Sequence, residues 1–297
     1  MYAFGLPERR YLAHDGTSLA YWISRPPPET DTGYTVVLAN GIGIARAVWR
    51  DFVQALRSRF TLVFWDYRCF YRSEIPADLR HLTLEDHARD IAGILEQESL
   101  QRVIMVGWSM GVQVSVESWR FASHRQVGFV LMNGTPGETL DTAFYLPGLR
   151  LWVPPLSRYL SRRHPERLRG VFSRVFRKEL TLLMRSTRAV TSDVDMPMLE
   201  QLLEEYASVD FGVYFLILSS LGLHRPTHLE HIQVPALVLV GASDMFTPPV
   251  AGRKLARRLP KAELVQHPRG SHYMLIEYPH DLLAQLEAFI AQRVMNL

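Results

Sequence analysis

Residues 107–111 read Gly-Trp-Ser-Met-Gly, a G-x-S-x-G pentapeptide. The apolar run Arg102–Trp108 before it predicts a strand, and Gly111–Ala122 after it predicts a helix. In that strand–turn–helix setting a serine sits on a sharp turn with its hydroxyl exposed. The flanking glycines let strand and helix approach closely. Serine alone is a poor nucleophile at neutral pH and needs a base that a third group orients. Two later loops supply candidates. Asp244 lies in Gly241-Ala242-Ser243-Asp244, and His272 in Pro268-Arg269-Gly270-Ser271-His272. His267 is the nearest rival base and Glu138 the rival acid; Asp244 read otherwise would cap the helix after Pro248. The chemistry implied is acyl transfer through Ser109, with no metal or organic cofactor required.

These residues need strands to hold them. Short apolar runs predict strands over Thr35–Ala39, Thr61–Trp65, Val127–Met132, Ala236–Val240 and Ala262–Gln266. Helical spacing predicts helices over Val48–Arg59, Leu84–Leu95, Val250–Arg258 and Asp281–Val294. Strands alternating with helices imply an α/β fold, a mostly parallel sheet with helices on both faces. Ser109, Asp244 and His272 then occupy loops at the carboxyl ends of strands, where open α/β sheets place their sites. An antiparallel hairpin, Arg9–Ala13 and Leu19–Ser24 around Asp15-Gly16, precedes the sheet. Residues 137–230 show no convincing strand and read as an inserted helical cap, with 1–136 and 231–297 as the core. One apolar stripe in the cap runs from Leu168 to Leu183, another from Leu199 to Tyr206, and prolines between Leu146 and Pro155 suggest a bend.

The chain resembles the α/β-hydrolase superfamily, in the form that carries a helical cap. The resemblance spans nearly the whole chain and is sharp outside the cap. It rests on His14-Asp15-Gly16, Asn40-Gly41-Ile42-Gly43, Trp65-Asp66-Tyr67-Arg68, the Gly107–Gly111 turn, Gly241-Ala242-Ser243-Asp244, Gly270-Ser271-His272 and Glu277-Tyr278-Pro279. It implies Ser109 as nucleophile, His272 as general base and then acid, and Asp244 as the residue orienting His272. It implies an oxyanion hole from the backbone N–H groups of Ile42 and Met110. One departure stands out. Relatives carry Asp-x-Arg-Gly-x-Gly-x-Ser where this chain reads Asp66-Tyr67-Arg68-Cys69-Phe70-Tyr71-Arg72-Ser73. Losing both glycines predicts a reshaped loop. Cys69 itself reads as packing rather than as a reactive thiol.

With 297 residues, 47 % hydrophobic and 21 % charged, the chain is neither disordered nor collagen-like. Its one cysteine, Cys69, excludes an intrachain disulfide and a multi-cysteine metal site. No signal peptide begins the sequence, and the longest nearly apolar run, Phe211 to Leu223, is too short for a span, so a cytoplasmic location is expected. The net charge of +3 is uneven: residues 145–190 hold eleven Lys/Arg against two Glu. That basic cap is read as a solvated face, as a contact for an anionic membrane surface, or as a site for an anionic thioester; nucleic acid is disfavoured for want of a motif. Cap aromatics, among them Trp152, Tyr159, Phe172, Phe176, Tyr206, Phe211, Tyr214 and Phe215, suit an apolar acyl or alcohol group. The expected substrate is a small-molecule or lipidic ester. Thioesterase, carbon–carbon bond hydrolase and a non-catalytic ligand-binding member of the fold are the alternatives. A serine at position 109 argues against epoxide hydrolases and haloalkane dehalogenases, whose nucleophile is an aspartate.

Overall fold

The computed structural model describes residues 4–137, 139–146, 148–163, 184–187 and 189–296. Eight strands form one sheet: β1 (Arg9–Leu12), β2 (Ser18–Ser24), β3 (Thr35–Ala39), β4 (Thr61–Trp65), β5 (Val103–Trp108), β6 (Gln126–Met132), β7 (Ala236–Gly241) and β8 (Ala262–His267). Their order across the sheet is β1-β2-β4-β3-β5-β6-β7-β8. β1 and β2 are antiparallel to each other, and β2 is antiparallel to β4; every other pairing is parallel.

Burial follows from position. Every residue of β3, β4 and β5 is buried, because helices cover both faces of the central strands. The terminal strands β1 and β8 are largely exposed and carry Arg9, Arg10, Glu263 and Gln266, which suits sheet edges. Alternation divides the core in two. Val36, Leu38, Ile104, Val106 and Trp108 face one layer, and Val37, Ala39, Val103 and Met105 the other.

Helix Leu84–Gln97 starts at a reciprocal cap: Thr83 Oγ1 accepts from the Asp86 N–H, and Asp86 Oδ2 accepts from the Thr83 N–H. Helix Met110–Ala122 follows β5 directly. Helix Pro249–Arg258 follows β7, and Pro279–Phe289 closes the chain, its continuation Ile290–Val294 widening into a π-turn.

Between β6 and β7 the described residues contain helices and turns only. Helix Leu149–Arg163 packs along Phe211–Leu223, and Met196–Tyr206 precedes the latter at a bend of 104°. Of the prolines expected to bend the cap between Leu146 and Pro155, Pro154 and Pro155 lie inside this helix. The missing N–H groups leave the Arg150 and Leu151 carbonyls without their intrahelical donors, a loss the chain tolerates here near the helix start. Asp195 caps Met196–Tyr206 and accepts from Arg50 Nη2 at 2.9 Å, tying this helix to Arg50–Leu56 of the core. The apolar stripe expected over 168–183 lies outside the described residues, as does Glu138. No single described helix is long and apolar enough to cross a membrane.

Candidate active site

Ser109 joins β5 to helix Met110–Ala122 with φ 57° and ψ −119°, a conformation that a non-glycine residue adopts only when its surroundings force it. Two close approaches do the forcing. A Cβ on Gly107 would meet the Gly111 carbonyl oxygen at 2.4 Å, and one on Gly111 would meet the Ala39 carbonyl oxygen at 2.1 Å. Only glycine fits at either position, and the turn throws the serine hydroxyl outward.

The three residues from separate loops meet there. Ser109 Oγ lies 3.0 Å from His272 Nε2, and His272 Nδ1 lies 2.8 Å from Asp244 Oδ2. Asp244 is 1 % exposed and its carboxylate is fully engaged. Oδ1 accepts from the Phe246 and Thr247 N–H groups at 2.8 and 2.9 Å, and Oδ2 accepts from Thr247 Oγ1 at 2.7 Å. Asp244 therefore closes its own loop and holds the imidazole, instead of capping the helix that begins at Pro249. His267, the rival base, turns away and pairs with Asp281 at 3.1 Å.

The His272 segment is braced from three sides. Trp108 Nε1 donates to the His272 carbonyl at 2.9 Å. Asn133 Nδ2 donates to the Ser271 and His272 carbonyls at 2.7 and 3.1 Å, while Asn133 Oδ1 accepts from the Gly241 N–H at 2.8 Å. Buried Glu277 accepts from both the Ser271 N–H and Ser271 Oγ, at 2.9 and 2.6 Å. Asn133 thus ties the acid loop to the base loop. It is the first residue after β6, and its φ of 44° suits an asparagine, which visits the left-handed region more readily than most residues.

Met110 follows the serine directly, and Ile42 lines the same cavity as the serine. Met110 opens its helix, so its N–H has no intrahelical acceptor and lies at the positive end of the helix dipole. Ile42 sits with Gly41 and Ser109 on the wall of one cavity. The loop carrying Ile42 is stapled at both ends by tyrosines. Tyr67 Oη donates to the Asn40 carbonyl at 3.0 Å, and Tyr71 Oη to the Gly43 carbonyl at 2.7 Å. Asn40 Oδ1 also accepts from Trp49 Nε1.

Both tyrosines belong to the loop expected to be reshaped. Within it Cys69 (φ 69°) and Tyr71 (φ 50°) both occupy the left-handed conformation that glycine adopts most readily. Each position costs about 1–2 kcal/mol against glycine. Buried pairs hold the loop to this shape. Arg46 Nη1 donates to both Asp66 oxygens at 2.5 and 2.7 Å, and Arg68 grips Asp90 through Nε and Nη2 at 2.7 and 2.6 Å. Burial pushes the Cys69 thiol up to about 12, so it stays protonated and unreactive. Sequence reasoning assigned no role to Tyr71, Asn133, Glu277 or Thr247, although it noted Glu277 within the family motif and Tyr71 as a bulky residue at a glycine position.

The cavity above Ser109 has a volume of about 300 Å³. Leu140, Leu199, Leu203, Tyr206, Tyr214 and Phe246 form much of its apolar wall. Burial raises the Tyr206 and Tyr214 phenols well above or above their ordinary value, so both remain neutral. No lysine, arginine, aspartate or glutamate lines it among the described residues. Of the aromatics expected to shape the pocket, Tyr206 and Tyr214 do so, whereas Trp152 and Tyr159 are exposed. Phe172 and Phe176 lie outside the described residues. A larger cleft of about 640 Å³, lined by Arg80, Glu117, Arg120 and His224, opens elsewhere and contains none of the three loop residues.

Comparison with known proteins agrees with this architecture. The chain is 25 % identical over 274 residues to pimeloyl-[acyl-carrier protein] methyl ester esterase of Pectobacterium atrosepticum, covering 91 % of this chain and 97 % of that one. It is 25 % identical over 241 residues to a 2-hydroxy-6-oxononadienedioate/2-hydroxy-6-oxononatrienedioate hydrolase of Pseudomonas putida, covering 77 % and 78 %. Among solved structures, a thermophilic esterase from Thermogutta terrifontis superposes with a TM-score of 0.72 at 20 % identity, over 97 % of this chain and 99 % of that one. The enol-lactonase from Burkholderia xenovorans gives 0.74 at 22 % identity, over 96 % and 100 %. The family model described as "Alpha/beta hydrolase family" matches residues 36–286, and the chain belongs to that family.

Proposed function

We propose that this hydrolase cleaves a carboxylic ester carrying an apolar group, through an acyl-enzyme on Ser109. The observation that carries the reading is the unbroken hydrogen-bond chain Ser109–His272–Asp244 at the floor of an uncharged, largely apolar cavity. Ser109 Oγ attacks the ester carbon while His272 Nε2 accepts its proton. Asp244 holds the Nδ1–H and stabilises the imidazolium. The Ile42 and Met110 N–H groups receive the charge that develops on the carbonyl oxygen. The alcohol leaves with the proton from His272, and water then repeats the sequence to release the acid.

Lining chemistry separates this from its rivals. A carbon–carbon bond hydrolase acting on a dioate would need a cation for the remote carboxylate, and the described lining offers none. At roughly 30 Å³ per water-sized group, a 300 Å³ cavity holds about ten heavy atoms. Hydrolysis of p-nitrophenyl esters from acetate to palmitate tests both points. An optimum at short to medium chains, about C4 to C8, is expected. A folded protein that turns over none of them would overturn the reading.

The basic cap supports delivery of a lipidic ester from a membrane surface. Leu151, Trp152, Leu156 and Tyr159 are exposed along one face of Leu149–Arg163, beside Arg150 and Arg158. Co-sedimentation with anionic vesicles, lost in high salt, is the expected result; salt-independent absence of binding would remove this part.

A further inference from the structure

We propose that His14, His81 and Asp86 form a binding site for one borderline divalent transition metal ion, of the Zn²⁺ or Ni²⁺ class. The three donors come from separate segments. His14 sits in the β1–β2 turn, His81 in the loop before helix Leu84–Gln97, and Asp86 in that helix's first turn. Their ligand atoms all lie within 4.8 Å of one another. His81 Nδ1 is 3.4 Å and His14 Nε2 3.9 Å from the same oxygen, Asp86 Oδ1.

The His81–Asp86 spacing already suits a metal, and the wider His14 spacing closes by a small inward turn of its half-exposed ring. Ligands about 2.0–2.2 Å from a tetrahedral ion lie roughly 3.3 Å apart. The two imidazoles stand edge to face with centroids 5.4 Å apart, so neither blocks the other. The carboxylate is oriented from behind. Asp86 Oδ2 accepts from the Thr83 N–H at 3.0 Å and from Thr83 Oγ1 at 2.6 Å, which aims Oδ1 at the histidines. Local charge permits a cation as well, because the nearby Arg68 is already paired with Asp90 and Asp15. Two imidazoles and one carboxylate select a borderline ion over Mg²⁺ or Ca²⁺, and the half-exposed rings leave room for water as a further ligand.

The ion would not take part in catalysis. The β1–β2 turn lies at least three strand spacings from β5, about 14 Å, so the ion stays clear of the Ser109 hydroxyl. It would instead pin the hairpin turn to the helix start.

Titration calorimetry of tag-free, chelator-stripped full chain with Zn²⁺ tests the site, with Mg²⁺ as control. One equivalent of Zn²⁺ and no Mg²⁺ binding are expected. His14→Ala and His81→Ala should each weaken Zn²⁺ binding at least tenfold while ester hydrolysis stays unchanged. Zn²⁺ should raise the thermal midpoint of the wild type by a few degrees and leave the double variant unmoved. Zn²⁺ binding of equal strength in the double variant, or none in the wild type, would overturn the proposal.

Discussion

Replacing Tyr71 by phenylalanine tests whether the loop stapled by Tyr67 and Tyr71 sets the oxyanion donor. The substitution removes one hydroxyl and nothing else. Its 2.7 Å bond to the buried Gly43 carbonyl disappears, and that carbonyl loses the donor aimed at it. Leaving a buried acceptor unpaired costs about 1–3 kcal/mol. Gly43 follows Ile42, so part of that cost appears as a looser donor at the moment charge develops. If about 1.4 kcal/mol reaches the transition state, kcat falls about tenfold. The apolar wall is untouched, so KM stays put and kcat and kcat/KM fall together, the signature of an interaction made in the transition state. Steady-state kinetics on a short p-nitrophenyl ester reads both constants, and a denaturation curve confirms that the variant is folded. Tyr71→Gly should show a similar kcat loss although it relieves the left-handed backbone, because it too lacks the hydroxyl. Full activity in Tyr71→Phe, or a loss confined to KM, would refute the reasoning.

Three further outcomes are expected. Asp244→Asn should lower kcat by about 10²–10⁴-fold through loss of imidazole orientation; kinetics within threefold of wild type would move the acid role elsewhere. His87 is fully buried, neither ring nitrogen has a hydrogen-bond partner, and burial pushes its value down to about 3. Above about pH 6.5 the folded and unfolded states are both neutral there; below it the unfolded chain takes up a proton that the folded chain refuses, so stability falls by about 1.4 kcal/mol per pH unit, or about 2 kcal/mol by pH 5. Urea denaturation of His87→Leu should lack that slope, and parallel pH profiles of variant and wild type would contradict it. Iodoacetamide at neutral pH should leave native Cys69 unmodified and activity intact, since the thiol's value of about 12 keeps it protonated; rapid labelling of folded protein would show that the loop opens.

The strands were legible because their chemistry is one-sided. Runs such as Thr35–Ala39 and Thr61–Trp65 are buried on both faces and read as unbroken apolar segments, and the expected bounds match β3 and β4 residue for residue. Helix ends were less legible, since Arg46–Trp49 opens the first helix as a tighter turn and Ile290–Val294 widens the last. Ser109, Asp244 and His272 could be named from loop position and order, because each follows a strand. What pattern could not supply was how the loop from Asp66 to Ser73 holds left-handed backbone without glycine. Backbone strain at Cys69 and Tyr71 is offset by pairs such as Arg68–Asp90, whose partners lie 22 positions apart. The bracing by Asn133 and Glu277 was hidden for the same reason: hydrogen bonds between distant loops leave no local period.

The central claim is that Ser109 carries the reaction. The most direct measurement compares turnover of a p-nitrophenyl ester by wild type and Ser109→Ala at matched folded concentration. The half-buried turn hydroxyl makes one hydrogen bond, to His272, so the variant should fold normally and lose at least about 10³-fold in kcat, retaining only what binding and the oxyanion donors provide. Turnover within tenfold of the wild type would contradict the account.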